Sequence, residues 1–269
     1  MRPSDYTVER RRGMSQDEFH RAFVRGNRPL ILTDEVERWP AAKLWNARYF
    51  IEKFGDRPVP VYVHPNGMYS GHGPRQERTT FESFLHSFEA EPGARTLVCH
   101  VLKLAPFIIP DYAIPTVVSA DEVESSGLWI KPAGATTGLH FDHQDGLLAV
   151  VQGEKRVLLF APEQVDCLYP CPVRARNDLP TRNWSEVYDV FHPDFERFPR
   201  LRAAECVEVR VAAGEMLFIP KFWWHAVEHE APLTIGVNFF LNTPHAGTWP
   251  VFYWDRVFME HLVHAIHLL

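Results

Sequence analysis

The chain has 269 residues, 46% of them hydrophobic and 13% aromatic, which suits one large domain or two small ones with a sizeable core. A formal charge of −6 and a pI near 6.2 argue against a general nucleic-acid or anionic-membrane binder, because neither surface attracts an acidic protein. Cys99, Cys167, Cys171 and Cys206 form no CxxC pair, the N-terminus has no apolar stretch and no run of 18 apolar residues occurs. A disulfide scaffold, secretion and a membrane span are therefore not expected, and a soluble cytoplasmic protein is.

In chain order, Ser15-Gln-Asp-Glu18 is a capping-box pattern ahead of Phe19, Phe23 and Val24, so a short helix is predicted to begin near residue 15. Pro29–Thr33 reads as a short buried strand, Ala41–Phe54 as a helix, Val59–Val63 as a strand and Phe81–Phe88 as a helix. From Gly127 the texture changes to short strands: Leu128–Lys131, Gly146–Gln152, Arg156–Phe160, Glu205–Val211, Met216–Ile219, His225–Glu230 and Thr234–Leu241. Punctuated by Gly and Pro, they predict an antiparallel sandwich or barrel, one mouth of it wrapped by the Pro-, Arg- and Asp-rich stretch Pro170–Leu201. In the tail from Thr248, Val251, Trp254, Val257, Phe258, Leu262, Val263 and Ile266 recur at three- and four-residue steps, the pattern of an amphipathic helix. Two covers fit its apolar face, its own barrel or a second copy of the chain.

His140-Phe-Asp142 places two ligand-type side chains two residues apart, on one face if they lie on a strand. A third ligand is offered by Pro220-Lys-Phe-Trp-Trp-His225, where another strand opens. Two imidazoles and one carboxylate leave adjacent coordination positions open, as Fe(II) needs if it is to hold a bidentate cosubstrate and O2 together. Zinc favours a closed or nearly closed tetrahedral site and fits less well. Alone, His-x-Asp recurs by chance; its strength here is the all-β setting that supplies the distal histidine.

Thr137-Gly-Leu-His-Phe-Asp142, Gln152-Gly-Glu-Lys-Arg-Val-Leu-Leu-Phe160, Cys167-Leu-Tyr-Pro170, Phe195-Glu-Arg-Phe-Pro199, Gly214-Glu-Met-Leu-Phe-Ile-Pro220, Trp223-Trp-His225 and Val237-Asn-Phe239 follow one another in this order. With them the sequence resembles the JmjC family of Fe(II)- and 2-oxoglutarate-dependent oxygenases, in the hydroxylase-only branch similar to factor inhibiting HIF. Arg28-Pro-Leu-Ile-Leu32 and Trp39-Pro40 look like the lead-in of the same group. The resemblance implies a mainly β fold with flanking helices, a cupin-like jelly roll or double-stranded β-helix. Residues 1–269 would be one domain, with an α/β lead-in over 1–124, the double-stranded core over 125–245 and a C-terminal helix over 246–269.

On the same likeness His140, Asp142 and His225 bind iron and are the catalytic centre. Lys155 pairs with the distal carboxylate of 2-oxoglutarate, Thr137 adds a hydroxyl donor, and Asn238 sits near the cosubstrate's metal-binding end. Read without the likeness, Lys155 is a solvated turn lysine, whereas an inward lysine would be costly without an anion. Gln144, Asp145, Trp223 and the stretch Arg174–Trp184 are expected to face substrate. Three positions depart from the pattern: Gly146 stands where an asparagine is expected, the region Thr96–His100 offers no tyrosine, and Phe240 replaces a tryptophan. The family's dimerisation through C-terminal helices favours a homodimer.

The implied activity is hydroxylation of an unactivated C–H bond, using O2 and releasing succinate and CO2. A protein or peptide side chain is the first substrate class, a small metabolite or natural-product intermediate the second and a modified nucleoside the third. Histone-lysine demethylation ranks lower. From other classes, a cupin-like metal-holding sensor without turnover and a zinc hydrolase on the same fold remain as rivals.

Overall fold

Ser15 opens the first helix of the computed structural model, which describes residues 1–64, 68–69, 75–90, 93–171 and 183–243. The Ser15 hydroxyl accepts from the Glu18 N–H at 3.2 Å and caps Gln16–Phe19, which runs on into a π turn over His20–Val24. The helix predicted over 41–54 is two helices, Ala41–Leu44 and Ala47–Phe54. The break falls at Trp45, whose backbone is extended and whose indole N–H donates to buried Asp111 at 2.9 Å. Asn46 then caps the second helix by accepting from the Tyr49 N–H. A partner far along the chain thus overrides the local periodicity. Helix Phe81–Ala90 covers the predicted segment and stacks Phe81 on Phe50 with ring centroids 5.0 Å apart.

Among the described residues fifteen strands follow one another as β1 (Arg2–Pro3), β2 (Glu9–Arg11), β3 (Leu30–Leu32), β4 (Pro58–Val63), β5 (Met68–Tyr69), β6 (Arg75–Thr80), β7 (Arg95–His100), β8 (Val123–Pro132), β9 (Thr136–His140), β10 (Asp145–Gln152), β11 (Glu154–Phe160), β12 (Glu205–Ala212), β13 (Met216–Ile219), β14 (Trp224–His229) and β15 (Leu233–Leu241). They build a six-stranded sheet, β1-β12-β11-β14-β9-β5, and a nine-stranded sheet, β2-β3-β13-β10-β15-β8-β7-β4-β6. The two sheets form the cupin-like jelly roll that the strand pattern and the resemblance led us to expect. Every strand predicted after Gly127 is present. β1, β2, β5, β6, β7 and β9 were not among the predicted strands; β6, with the sequence Arg-Gln-Glu-Arg-Thr-Thr, ends its sheet and is largely exposed, so no apolar alternation marks it.

β10 shows how one strand serves two cores. Leu147, Ala149 and Val151 point into a cluster with Phe19, Phe23, Trp39 and the aromatics of the lead-in helices. Leu148 and Val150 point between the sheets, against Val157, Leu159 and Val227. Covered on both faces, β10 reads as a continuous apolar run. A third cluster, including Leu139, Phe141, Phe160, Phe198 and Trp224, lies on the other side of the six-stranded sheet. All four cysteines are free thiols, and no described helix is long and apolar enough to cross a membrane. The predicted C-terminal helix and residues 172–182 of the stretch around the mouth lie outside the described residues.

The turn between β10 and β11 depends on Gly153. Its φ is +82°, and a Cβ there would lie 2.5 Å from the Leu233 carbonyl oxygen. Gly214, at φ +95°, has open space where its Cβ would be. Gly153→Ala should therefore lower stability by more than about 2 kcal/mol, and Gly214→Ala by about 1 kcal/mol, in urea unfolding. Equal losses at the two positions would show that the Leu233 contact is not felt.

Candidate metal centre and anion chamber

Antiparallel pairing of β9 with β14 sets His140 directly across from His225. Asp142 lies just past the end of β9, so His140 is the last residue of its strand and the two ligands do not share one. The two Nε2 atoms stand 3.9 and 3.7 Å from the Asp142 carboxylate oxygens, and one ligand atom from each residue falls within 4.8 Å of the others. Each ring is fixed from behind, His140 Nδ1 lying 2.9 Å from the Gly138 carbonyl and His225 Nδ1 3.1 Å from that of Trp223. A proton on each Nδ1 leaves both Nε2 lone pairs facing the carboxylate. Burial, and next His225, push the His140 pKa down to about 4, which keeps this imidazole neutral at ordinary pH. Trp184 stacks on His140 at 4.5 Å and 14°. Two nitrogen donors and one oxygen donor, with no further ligand-type side chain in the cluster among the described residues, suit Fe(II) better than a closed zinc site.

The pairing is irregular, since the three-residue step from Thr137 to His140 matches the two-residue step from Val227 to His225. This β-bulge around Gly138 puts Thr137 and His140 on the same inner face, although their spacing in a regular strand would oppose them. Below Thr137 lie two ammonium groups. Lys155, on β11, is 2% exposed and donates to Asn238 Oδ1 at 3.5 Å. Lys131, on β8, is 0% exposed and donates to Thr137 Oγ1 at 2.6 Å. Burial pushes the Lys155 pKa down to about 8; burial, and then Lys155, push Lys131 to about 7. His229 pairs in register with Lys155, and burial and the two lysines hold its pKa well below the usual imidazole value. Its Nδ1 has no hydrogen-bond partner among the described residues. Burial and Lys131 also lower His64, to about 4.

Such a cationic chamber fits an anion, because a buried ammonium is tolerated only with a partner for its charge. Lys155, Thr137 and Asn238 all reach it. Lys131, His229 and His64 were not singled out from the sequence. Lys131 belonged to a predicted strand, but period-2 alternation does not say which face turns inward.

The residues expected to face substrate are placed differently. Asp145 is 1% exposed; its carboxylate accepts from the Lys221 N–H at 2.8 Å and from the Thr243 hydroxyl. Together with the bond from the Phe222 N–H to the Asp142 carbonyl at 2.9 Å, it ties the loop before His225 to the Asp142 loop. Trp223 is buried against Tyr6 and donates its indole N–H to the Asn27 carbonyl. Both side chains are buried and hydrogen-bonded within the fold, where they help to build the frame around the site. Gln144 is half-buried and donates to Glu124 at 3.2 Å. Gly146 and Phe240, two of the departures from the family pattern, face each other across β10 and β15. Where a tyrosine was sought, buried Thr96 contacts His64 at 3.3 Å.

In sequence the chain is similar to known proteins. Residues 16–246 match the family described as a cupin-like domain. Over 243 residues the chain is 32% identical to lysine-specific demethylase JMJ30 of Arabidopsis thaliana, covering 86% of this chain and 54%, about half, of that protein's length. It is 28% identical over 254 residues to the bifunctional peptidase and (3S)-lysyl hydroxylase JMJD7 of Homo sapiens, covering 83% of this chain and 80% of that protein. It is 27% identical over 256 residues to tRNA wybutosine-synthesizing protein 5 of Homo sapiens, covering 87% and 77%.

The triad makes a direct prediction. Titrated with Mn(II) under electron paramagnetic resonance, the protein should bind one ion, and His140→Ala or Asp142→Ala should weaken binding by more than about 100-fold. Unchanged affinity in either variant would place the metal elsewhere.

Proposed function

This chain belongs to the cupin-like JmjC family of Fe(II)- and 2-oxoglutarate-dependent oxygenases, and from that premise we propose that it is a dioxygenase hydroxylating an unactivated C–H bond of a protein or peptide side chain. The observation that carries the reading is Lys155, an ammonium buried without a carboxylate partner among the described residues, in the chamber beneath a His-Asp-His triad. A metal-holding sensor or a zinc hydrolase has no need of that lysine. An enzyme that takes up a dicarboxylate beside its metal does.

His140, Asp142 and His225 would hold Fe(II), and Lys155 with the Thr137 hydroxyl would hold the distal carboxylate of 2-oxoglutarate. Asn238 would lie along the cosubstrate. Bound there, Fe(II) and 2-oxoglutarate supply the oxidising chemistry, in which O2 is consumed, 2-oxoglutarate becomes succinate and CO2, and an oxygen atom enters the C–H bond. The chain's own contribution is position and dryness. The carbonyls of Gly138 and Trp223 fix the two imidazoles, the apolar side chains between the sheets exclude water, and the chamber sets the cosubstrate's direction.

A protein side chain stands first because two of the relatives described above carry lysine in their names, one of them covered over 80% of its length. A nucleoside substrate finds support in the wybutosine protein, but the charge of −6 weighs against a polynucleotide partner. The periodic apolar tail favours assembly as a homodimer.

Succinate release with Fe(II), 2-oxoglutarate, O2 and a peptide library tests the reading. Asp142→Ala should abolish release, and Lys155→Ala should raise the KM for 2-oxoglutarate by roughly 10- to 100-fold. Succinate formation that survives Asp142→Ala would overturn the assignment, and an unchanged KM in Lys155→Ala would move the anion partner elsewhere.

A further inference from the structure

His229 has no part in the reading above, yet it is 2% exposed at the end of β14 and belongs to the chamber. Val227, two residues before it, packs between the sheets, so strand alternation turns His225, Val227 and His229 to the same inner face. The register of β11 with β14 sets His229 directly beside Lys155. Its backbone is pinned on both sides: the N–H donates to the Ala135 carbonyl at 3.0 Å, and the carbonyl accepts from the Gly134 N–H at 2.9 Å.

The ring is less well provided for. On the paired strands β9 and β14, His140 and His225 each rest Nδ1 against a backbone carbonyl. His229 Nδ1 is buried and has no hydrogen-bond partner among the described residues. A buried ring nitrogen left this way is costly in either tautomer, whether it carries a proton or a lone pair. Burial first, and then Lys131 and Lys155, disfavour a charged imidazole here, so the ring stays neutral at ordinary pH. A neutral imidazole can present one N–H without adding a third positive charge beside the two ammonium groups. A carboxylate has about four lone-pair sites, more than Lys155 and the Thr137 hydroxyl can fill.

We propose that His229 is a neutral hydrogen-bond donor to the distal carboxylate of 2-oxoglutarate, giving it Nδ1–H beside the ammonium of Lys155. The inference rests on the reading of 2-oxoglutarate as cosubstrate. β14 then serves both ends of that molecule, with His225 at the metal and His229 four residues further along the same face, level with Lys155.

Anaerobic titration calorimetry of the Mn(II)-loaded protein tests this without turnover. The ligands are 2-oxoglutarate and 2-oxobutyrate, which shares the keto-acid end and lacks the distal carboxylate. His229→Leu should lower affinity for 2-oxoglutarate roughly tenfold and leave Mn(II) and 2-oxobutyrate within about twofold. His229→Asn keeps an N–H where Nδ1 stands and should stay within about threefold of wild type. Unchanged 2-oxoglutarate affinity in His229→Leu, an equal loss for both ligands, or an asparagine variant as weak as the leucine one overturns the role of His229. Wild-type binding of 2-oxoglutarate keeps the cosubstrate reading in each of those cases. Should the leucine variant fail to fold, the wild-type protein gives the answer by nitrogen-15 NMR of labelled histidine in the Zn(II)-loaded form. The His229 Nδ1–H signal should move downfield with 2-oxoglutarate and not with 2-oxobutyrate, and a signal that ignores bound 2-oxoglutarate overturns the contact. A wild-type protein that binds Mn(II) and no 2-oxoglutarate overturns both readings.

Discussion

The pairing of β9 with β14 is the constraint on which the site depends. It brings His140 opposite His225 near one side of the six-stranded sheet, and the bulge at Gly138 lets Thr137 share their inner face. Without the extra residue, Thr137 would turn outward among Leu139 and Phe141, which pack into the outer cluster. One backbone irregularity therefore links the His-Asp-His cluster to the buried lysines. The Gly138 carbonyl, inside the bulge, also holds the His140 ring.

Charge in the chamber runs against stability. Burial lowers the pKa values of Lys131 and Lys155, which is to say that the fold disfavours their charged forms in the absence of an anion. A carboxylate brought beside a buried ammonium acts with the opposite sign, favouring the charged form. Sites tuned for binding commonly give up stability in this way.

The rest of the fold keeps this arrangement rigid. Aromatics of the lead-in helices cover the outer face of the nine-stranded sheet, so that β10 and β15 are packed on both sides. Asp145 and Trp223, side chains with the look of substrate contacts, are spent on the loop that delivers His225. Phe222, at φ 68° in that loop, holds a left-handed backbone and donates to the Asp142 carbonyl, so the carboxylate ligand and the distal histidine are tied by main chain as well as by position.

Local pattern in the sequence was enough for the strands after Gly127 other than β9, for the Ser15 cap and for the His-x-Asp pair with its distal histidine. Each of these is a matter of neighbouring residues, whose alternation, capping chemistry and donor types are fixed by the chain itself. Lys155 became legible through the Gly153 turn and the family resemblance. The division of residues 41–54, the inward face of β8 with Lys131, the framework roles of Asp145 and Trp223, and the bulge that unites Thr137 with His140 were decided by tertiary structure. In each case the deciding partner lies far along the chain: Asp111 for Trp45, Thr234 for Lys131, Thr243 for Asp145, Asn27 for Trp223 and Val227 for Thr137. Periodicity states that a strand has two faces, and only the strand that pairs with it, in one register, determines which face the site receives.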